Sequence, residues 1–131
     1  MYYLFIAIFG ALGAIGRYWL GLTIGAGALP YNTLVINIIG CFLLAVVIRY
    51  LASFQNLSRH LISGLGTGLI GSFTTFSTFS VENARLITSG NYLTAVIYIL
   101  LSIVGGFLSA GLGFYMSDML IERREQRENA D

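Results

Sequence analysis

The sequence predicts an all-α membrane protein of four transmembrane helices. Two observations carry that reading. The chain is 56% hydrophobic and 10% charged, with mean hydropathy +0.80, whereas soluble domains carry about 25% charged residues. So few charges cannot coat a surface facing water, which leaves lipid as the natural solvent. The charges are also spaced to leave long apolar runs. None falls in residues 1–16, from Tyr18 to Ile48, from Leu61 to Val81 or from Leu86 to Ser117. A helix needs about 20 residues to cross the hydrocarbon, and turn signals cut these runs into four pieces. At 131 residues the chain is one small four-helix domain.

The first span is expected over 3–23. Met1–Tyr2–Tyr3–Leu4 enters apolar sequence without the Lys or Arg that opens a signal peptide, so this stretch should stay in the mature protein. Arg17 interrupts it. An Arg at bilayer depth costs about 2.5–3.5 kcal/mol on insertion scales, so it either snorkels to the interface or serves a polar route. Gly25–Ala26–Gly27 and Pro30–Tyr31–Asn32 mark a turn. The second span is expected over 33–53. Asn37 stands there among apolar residues and needs a partner, either across a helix interface or along a pore. The single Cys41 cannot form an internal disulfide and reads as packing.

A polar loop from Ser53 to Ser58 leads to the third span, 61–87. Ser89–Gly90–Asn91 turns into the fourth, 92–118. The polar tail 119–131 is mixed in sign and should carry the last helix into water. Four spans put both termini on one side. Small residues recur four apart at Gly21/Gly25, Gly64/Gly68, Ser102/Gly106 and Ser109/Gly113, a spacing that lets helix backbones approach closely in lipid.

The third span is unusual. Residues 64–80 read GLGTGLIGSFTTFSTFS. Four glycines crowd the first half. Six hydroxyls follow, interleaved with Phe73, Phe76 and Phe79. At about 100° per residue these hydroxyls point all around the axis, which no lipid-facing helix needs. Six hydroxyls beside a glycine cluster point to a broken third helix buried at a protein interface, the alternative being an unbroken Ser/Thr-rich packing helix. A break at membrane depth is tolerated only where protein or a wet cavity covers it. Carbonyls exposed there can bind a cation. Phe76 and Phe79 share a helix side, and a phenyl edge is positive, so it can meet a small anion without a trapping formal charge. Such a pair can also simply pack. Glu82 and Arg85, three apart, read as a structural ion pair at a helix end.

The string Gly71–Ser72–Phe73–Thr74–Thr75–Phe76–Ser77–Thr78–Phe79–Ser80–Val81–Glu82 resembles the third-helix signature of the Fluc/CrcB family of fluoride channels. Gly10 to Arg17 is similar to the family's glycine-rich first helix. Thr33 to Gly40 is similar to its second-helix pattern, and Gly90–Asn91–Tyr92 to the start of its fourth helix. Ser72–Phe73 departs from the pattern, where many relatives have a second glycine and a smaller apolar residue.

The resemblance implies an antiparallel, dual-topology dimer with two fluoride pathways and a central structural sodium ion. It implies Phe76 and Phe79 as ring-edge ligands and Ser77 and Thr78 as a hydroxyl track. It further implies Asn37 lining the route, Arg17 near the vestibule, and the backbone carbonyls of Gly71 and Thr74 holding the sodium. The function implied is passive, selective export of cytoplasmic fluoride across a bacterial cell membrane, which lowers fluoride toxicity.

Other classes fit less well. A net charge of +1 gives no basic field for nucleic acid. One His and one Cys make neither a metal cluster nor a nucleophile–base set, so an enzyme is not expected. A proton-coupled small multidrug transporter would need an ionisable acid deep in a helix, and the first three spans hold none before Glu82. A scaffold for membrane complexes would not need the Phe/Ser/Thr run. Five arginines (Arg49, Arg59, Arg123, Arg124 and Arg127) flank the side of the termini and two (Arg17 and Arg85) the other. That bias favours termini inside. An antiparallel pair therefore needs inverted copies of this chain or a related chain of opposite topology. The homodimer is the expectation.

Overall fold

In a computed structural model of the chain, residues 2–24 and 29–129 are described. They are helical almost throughout. The order is α1 (Tyr2–Thr23), α2 (Tyr31–Arg49), a 3-10 turn (Leu51–Ser53) and α3 (Arg59–Ser63). A π-helical stretch (Gly64–Ile70), α4 (Gly71–Phe73), α5 (Phe76–Thr88) and α6 (Tyr92–Glu128) follow. The expected Gly25–Ala26–Gly27 turn lies outside the described residues.

Among the described residues, three segments are long and apolar enough to cross a membrane: Tyr3–Thr23, Tyr31–Ser53 and Tyr92–Arg127. The expected 61–87 span is not among them. Its run is divided into α3, the π-helical stretch, α4 and α5.

Local chemistry sets the ends. Pro30 occupies the N-cap position of α2 with φ −73°. The Ser58 hydroxyl caps α3 by accepting from the Leu61 N–H at 3.2 Å. α5 stops at a Schellman turn: the Gly90 N–H donates to Ile87 O and the Asn91 N–H to Leu86 O. Gly90 supplies the required positive φ of 80°, which a side chain would strain.

The pairings give the topology. Along α2 and α6, Ser109 Oγ donates to Ile38 O at 2.7 Å, Gly113 backs onto Phe42 and Ala45, and Arg49 pairs with Asp118. Numbers rise together, so these helices run parallel. Along α1, Gly68 lies against Ile6 and Phe9, Gly13 against Leu69, and Gly16 against Phe73, so α1 runs parallel to the α3–α4 run. Gly66 faces Leu44 and Val47 while Gly40 faces Thr74, so α2 runs antiparallel to it. The start of α1, the ends of α2 and α6 and the start of α3 therefore share one end of the bundle. A small core of Leu29, Leu34 and Tyr98, joined by Ile38, Phe79 and Leu86, sits toward the other.

The glycines make these approaches possible. A Cβ on Gly13 would lie 2.9 Å from the Leu69 carbonyl carbon, with Leu69 O and Ser72 Oγ closer still. Backbone cannot move aside as a flexible side chain can. Gly13→Ala is therefore expected to cost about 1–3 kcal/mol as overpacking. Gly111→Ala, with nothing within 4 Å, should be neutral or slightly stabilising. Thermal unfolding of purified protein in mild detergent, followed by Trp19 fluorescence, checks the contrast; equal midpoints for the two variants would contradict the packing.

Candidate functional site

The site is built where α4 gives way to α5. Thr74 (φ −77°, ψ 157°) and Thr75 (φ −147°, ψ 117°) are extended between two helical pieces. Extended residues inside a helical run leave backbone groups without their usual partners, and burial makes that expensive. Asn37 on α2 supplies them. Its Nδ2 donates to Thr75 O at 3.0 Å and its Oδ1 accepts from the Thr75 N–H at 2.8 Å. Gly40, one turn along α2, leaves room for the Thr74 side chain. Thr75 then caps α5, its hydroxyl accepting from the Thr78 N–H at 3.1 Å.

One consequence concerns the carbonyls of Gly71 and Thr74. In a continuous helix they would accept from the N–H groups of Thr75 and Thr78. Here those N–H groups go to Asn37 and to the Thr75 hydroxyl. Gly71 is exposed and Thr74 half-buried. Among the described residues no group of three or more His, Cys, Asp or Glu could hold a metal. Released carbonyls are oxygen donors suited to a hard cation such as sodium, and two from one chain are too few to enclose it.

The hydroxyls divide by their bonds. Ser72, Thr74 and Ser80 donate to the carbonyls of Gly10, Ile70 and Phe76. Ser77 and Thr78, both exposed, reach no carbonyl among the described residues: Thr78 Oγ1 accepts from the Thr75 hydroxyl at 2.9 Å, and Ser77 Oγ lies 3.3 Å from it. Their O–H groups are the ones that can turn toward a ligand.

The two phenylalanines are adjacent, with ring centroids 5.9 Å apart and planes at 34°, but their settings differ. Phe76 is 79% exposed. Phe79 packs in the core cluster, 5.1 Å from the Tyr98 ring.

Three clefts meet here. One of about 280 Å³ holds Asn37, Thr74, Thr75 and Phe76. A second, of about 350 Å³, is lined by Arg17, Asn32, Thr33, Thr75 and Thr78 among others. A third, of about 290 Å³, holds Ser77, Thr78, Glu82 and Arg85. Thr75 joins the first to the second and Thr78 the second to the third. Of the expected site residues, Asn37, Thr74, Phe76, Ser77, Thr78 and Arg17 thus lie along one connected surface. Phe79 reaches it only through its neighbours, and Gly71 lines none of the three clefts.

The expected Glu82–Arg85 pair does not form. The ion pair recorded among the described residues is Arg49–Asp118. Glu82 instead accepts from Thr33 Oγ1 at 2.9 Å and from the Tyr98 hydroxyl at 2.7 Å. Sequence reasoning missed Thr33, Thr75 and Tyr98. Tyr98 carried no local signal, being one tyrosine in an apolar helix; Glu82, as the first acid after a long uncharged run, gave a hint.

Known proteins bear on this arrangement. Residues 4–114 match the family described as CrcB-like protein, Camphor Resistance (CrcB). The chain belongs to the CrcB family. Among its curated relatives, a Listeria monocytogenes protein named fluoride-specific ion channel FluC 2 is 47% identical over 97% of this chain and 98% of its own length. A Bacillus cereus protein named fluoride-specific ion channel FluC 1 is 48% identical over 92% of this chain and 90% of its own. A FluC 2 from Listeria innocua is 46% identical over 94% and 95%.

In this CrcB chain the Asn37–Thr75 pair is the most exposed to test. Asn37→Ala removes two hydrogen bonds and strands a buried N–H and C=O, a loss of about 2 kcal/mol or more. The expected result is a lower melting temperature together with faster hydrogen exchange at the Thr75 amide. An unchanged Thr75 exchange rate would show that the extended backbone holds itself.

Proposed function

We propose that the chain is the subunit of a fluoride-selective channel that lets cytoplasmic fluoride leave passively down its electrochemical gradient across a bacterial cell membrane. The observation that carries this reading is the pair of unspent hydroxyls, Ser77 and Thr78, beside the exposed ring of Phe76. The names of relatives matched along nearly the whole chain support the choice of ion.

Fluoride is small and strongly hydrated. A conducting route must replace its water with donors yet hold it weakly enough for release. Rotatable hydroxyls and positive ring edges meet both demands. Arg17 sits at the mouth, in the cleft shared with Thr33 and Thr78. Asn37 acts chiefly by fixing Thr75 and lines the route beside Phe76.

The functional unit is an antiparallel homodimer. The 61–87 run makes the fourth crossing, with its break covered by the partner copy. Three features support this: Phe76 is 79% exposed, Gly71 is exposed, and two carbonyls per chain are too few for an ion. In the dimer, Gly71 and Thr74 of both copies hold a sodium ion at the centre, and each pathway takes aromatic edges from both copies. The ion is structural and supplies no chemistry to the transported anion.

A proton-coupled drug transporter is the competing reading. Its acid would have to be Glu82, but both Glu82 oxygens accept hydroxyls near the end of the bundle, level with Thr33 in the first turn of α2.

The purified chain alone, in liposomes loaded with fluoride, should release it to a fluoride electrode without a proton gradient or drug. No efflux would sink the channel reading, and efflux only with an added related chain would sink the homodimer. A substantial fraction of single cysteines placed in the Ser53–Ser58 loop and in the tail, with Cys41 removed, should label from outside intact cells; complete protection at both positions counts against dual insertion.

Phe76→Ile and Phe79→Ile fill space without a positive edge. Each should lower flux by about tenfold or more while the protein still elutes as a dimer; normal flux in both would remove the ring-edge mechanism. Replacing sodium with N-methylglucamine should lower dimer stability or flux, since a bulky cation cannot sit among carbonyls. Thr74→Ser, which keeps the carbonyl, should be mild. Indifference to sodium would remove the central ion from the reading.

A further inference from the structure

The pathway described so far gives Arg85 no part, although Arg85 shares a cleft with two of its hydroxyls. We infer that Arg85 is the counter-charge to Glu82: it offsets the field of that carboxylate where the anion passes Ser77 and Thr78. The inference rests on the channel reading given above.

The shared cleft is the first ground. Ser77, Thr78, Val81, Glu82 and Arg85 line one space of about 290 Å³. An anion that meets the two rotatable hydroxyls there also meets a carboxylate. Both Glu82 oxygens accept hydroxyls, from Thr33 at 2.9 Å and from Tyr98 at 2.7 Å, a pattern that suits the ionised form. Those hydroxyls are dipoles and leave the net charge in place. A carboxylate beside the route raises the energy of a passing anion unless a cation stands near it.

Geometry makes Arg85 that cation. Glu82 and Arg85 are three apart on α5 and share a side of the helix. Glu82 is half-buried, with its oxygens held by α2 and α6, whereas Arg85 is exposed. The two line the same cleft without bonding. Coulomb energy falls only as the inverse of distance, so a guanidinium across the cleft offsets the carboxylate without touching it.

The charge census of this end of the bundle is the second ground. Its charged side chains are Arg17, Glu82 and Arg85. Every other acid in the sequence lies C-terminal to Ser117, and Asp118 pairs with Arg49 at the far end. The other five arginines also belong to the far end, on α2, α3 and α6. Two helix N-termini (α2 and α6) and two C-termini (α1 and α5) meet at the near end, so their partial charges cancel. Arg17 lines the neighbouring cleft with Thr33 and Thr78, not the one that Glu82 and Arg85 share. Without Arg85 the carboxylate would stand alone in its cleft.

The experiment measures fluoride efflux from liposomes holding the purified full-length protein, after elution shows that each variant assembles as the unaltered chain does. Arg85→Gln should lower the efflux rate about three- to fivefold at low ionic strength, the size expected of one exposed charge interaction. In about 0.5 M sodium gluconate the loss should shrink below about twofold, because screening shortens the reach of the charges. Arg85→Lys keeps the charge and should stay within about twofold of the unaltered chain. In a Glu82→Gln background, Arg85→Gln should cost less than about twofold, since the carboxylate it answers is gone. If Glu82→Gln does not assemble, the contrast of Arg85→Gln with Arg85→Lys and with salt carries the test. An Arg85→Gln rate equal to that of the unaltered chain overturns the inference. Equal losses in both backgrounds also overturn it, since Arg85 would then act apart from Glu82. So does a loss that Arg85→Lys does not rescue or that salt does not reduce. Each of these results leaves the channel reading standing; no efflux from the unaltered chain sinks that reading and this inference with it.

Discussion

Two hydrogen bonds between one side chain and one backbone residue hold this structure in its functional form. A carboxamide carries its donor and its acceptor on separate atoms, so it can meet an N–H and a C=O of one residue at once. Asn37 spends one of each on Thr75, replacing the helical partners that an extended residue forgoes. Thr75 is 8% exposed, so water cannot do the same. With that pairing in place the other departures follow. α4 can stop at Phe73, α5 can restart at Phe76 with a threonine cap, and the carbonyls of Gly71 and Thr74 are released.

The pairing acts only if α2 and the α3–α4 run are held at a fixed depth and rotation. α1 provides that. Gly13 brings the backbone of α1 against Leu69, and the Ser72 hydroxyl donates to Gly10 O at 2.6 Å. Ser72 thus ties the backbone of α1 to that of α4. The π-helical stretch Gly64–Ile70 lies in the same contact. Its wider turn shifts the phase of everything after it, which sets the direction in which Thr75 meets Asn37. Depth is fixed separately on α6, where Ser109 and Gly113 dock on Ile38, Phe42 and Ala45.

Much of this could be read before any coordinates. The uncharged runs marked four spans, and three of them are long apolar helices among the described residues, the 61–87 run being divided; the crowding of hydroxyls with phenylalanines marked the region of the site. Small residues four apart marked Gly64, Gly68 and Gly113 as close approaches. What escaped was set by separation along the chain. Asn37 plainly needed a partner, but the partner is backbone 38 residues away. Glu82 was read with Arg85 because three residues is a helical neighbour's distance; its real partners are Thr33, 49 residues away, and Tyr98, 16 away. Hydroxyl counts could not separate Ser77 and Thr78 from Ser72, Thr74 and Ser80 either. That division depends on whether a carbonyl happens to lie within reach.

The placement of charge bears on how an anion would move in the proposed channel. A cation in the path attracts fluoride but also traps it, and a carboxylate repels it. Both are present, yet neither stands alone. Arg17 shares its cleft with Thr33, and Thr33 donates to Glu82, so the two charges sit on neighbouring surfaces and partly cancel at distance. The Glu82 oxygens are turned to Thr33 and Tyr98, which spreads their charge over two hydroxyl dipoles. An arriving anion would feel Arg17 first and the balanced pair next. Beyond it lie the hydroxyls of Thr78 and Ser77, in a cleft that Glu82 and Arg85 also line, and the edge of Phe76. Attraction at the mouth raises the rate of entry, and opposite charges side by side farther in hold an anion less tightly than a lone cation would. The arrangement thus favours throughput over retention, as a passive pathway requires.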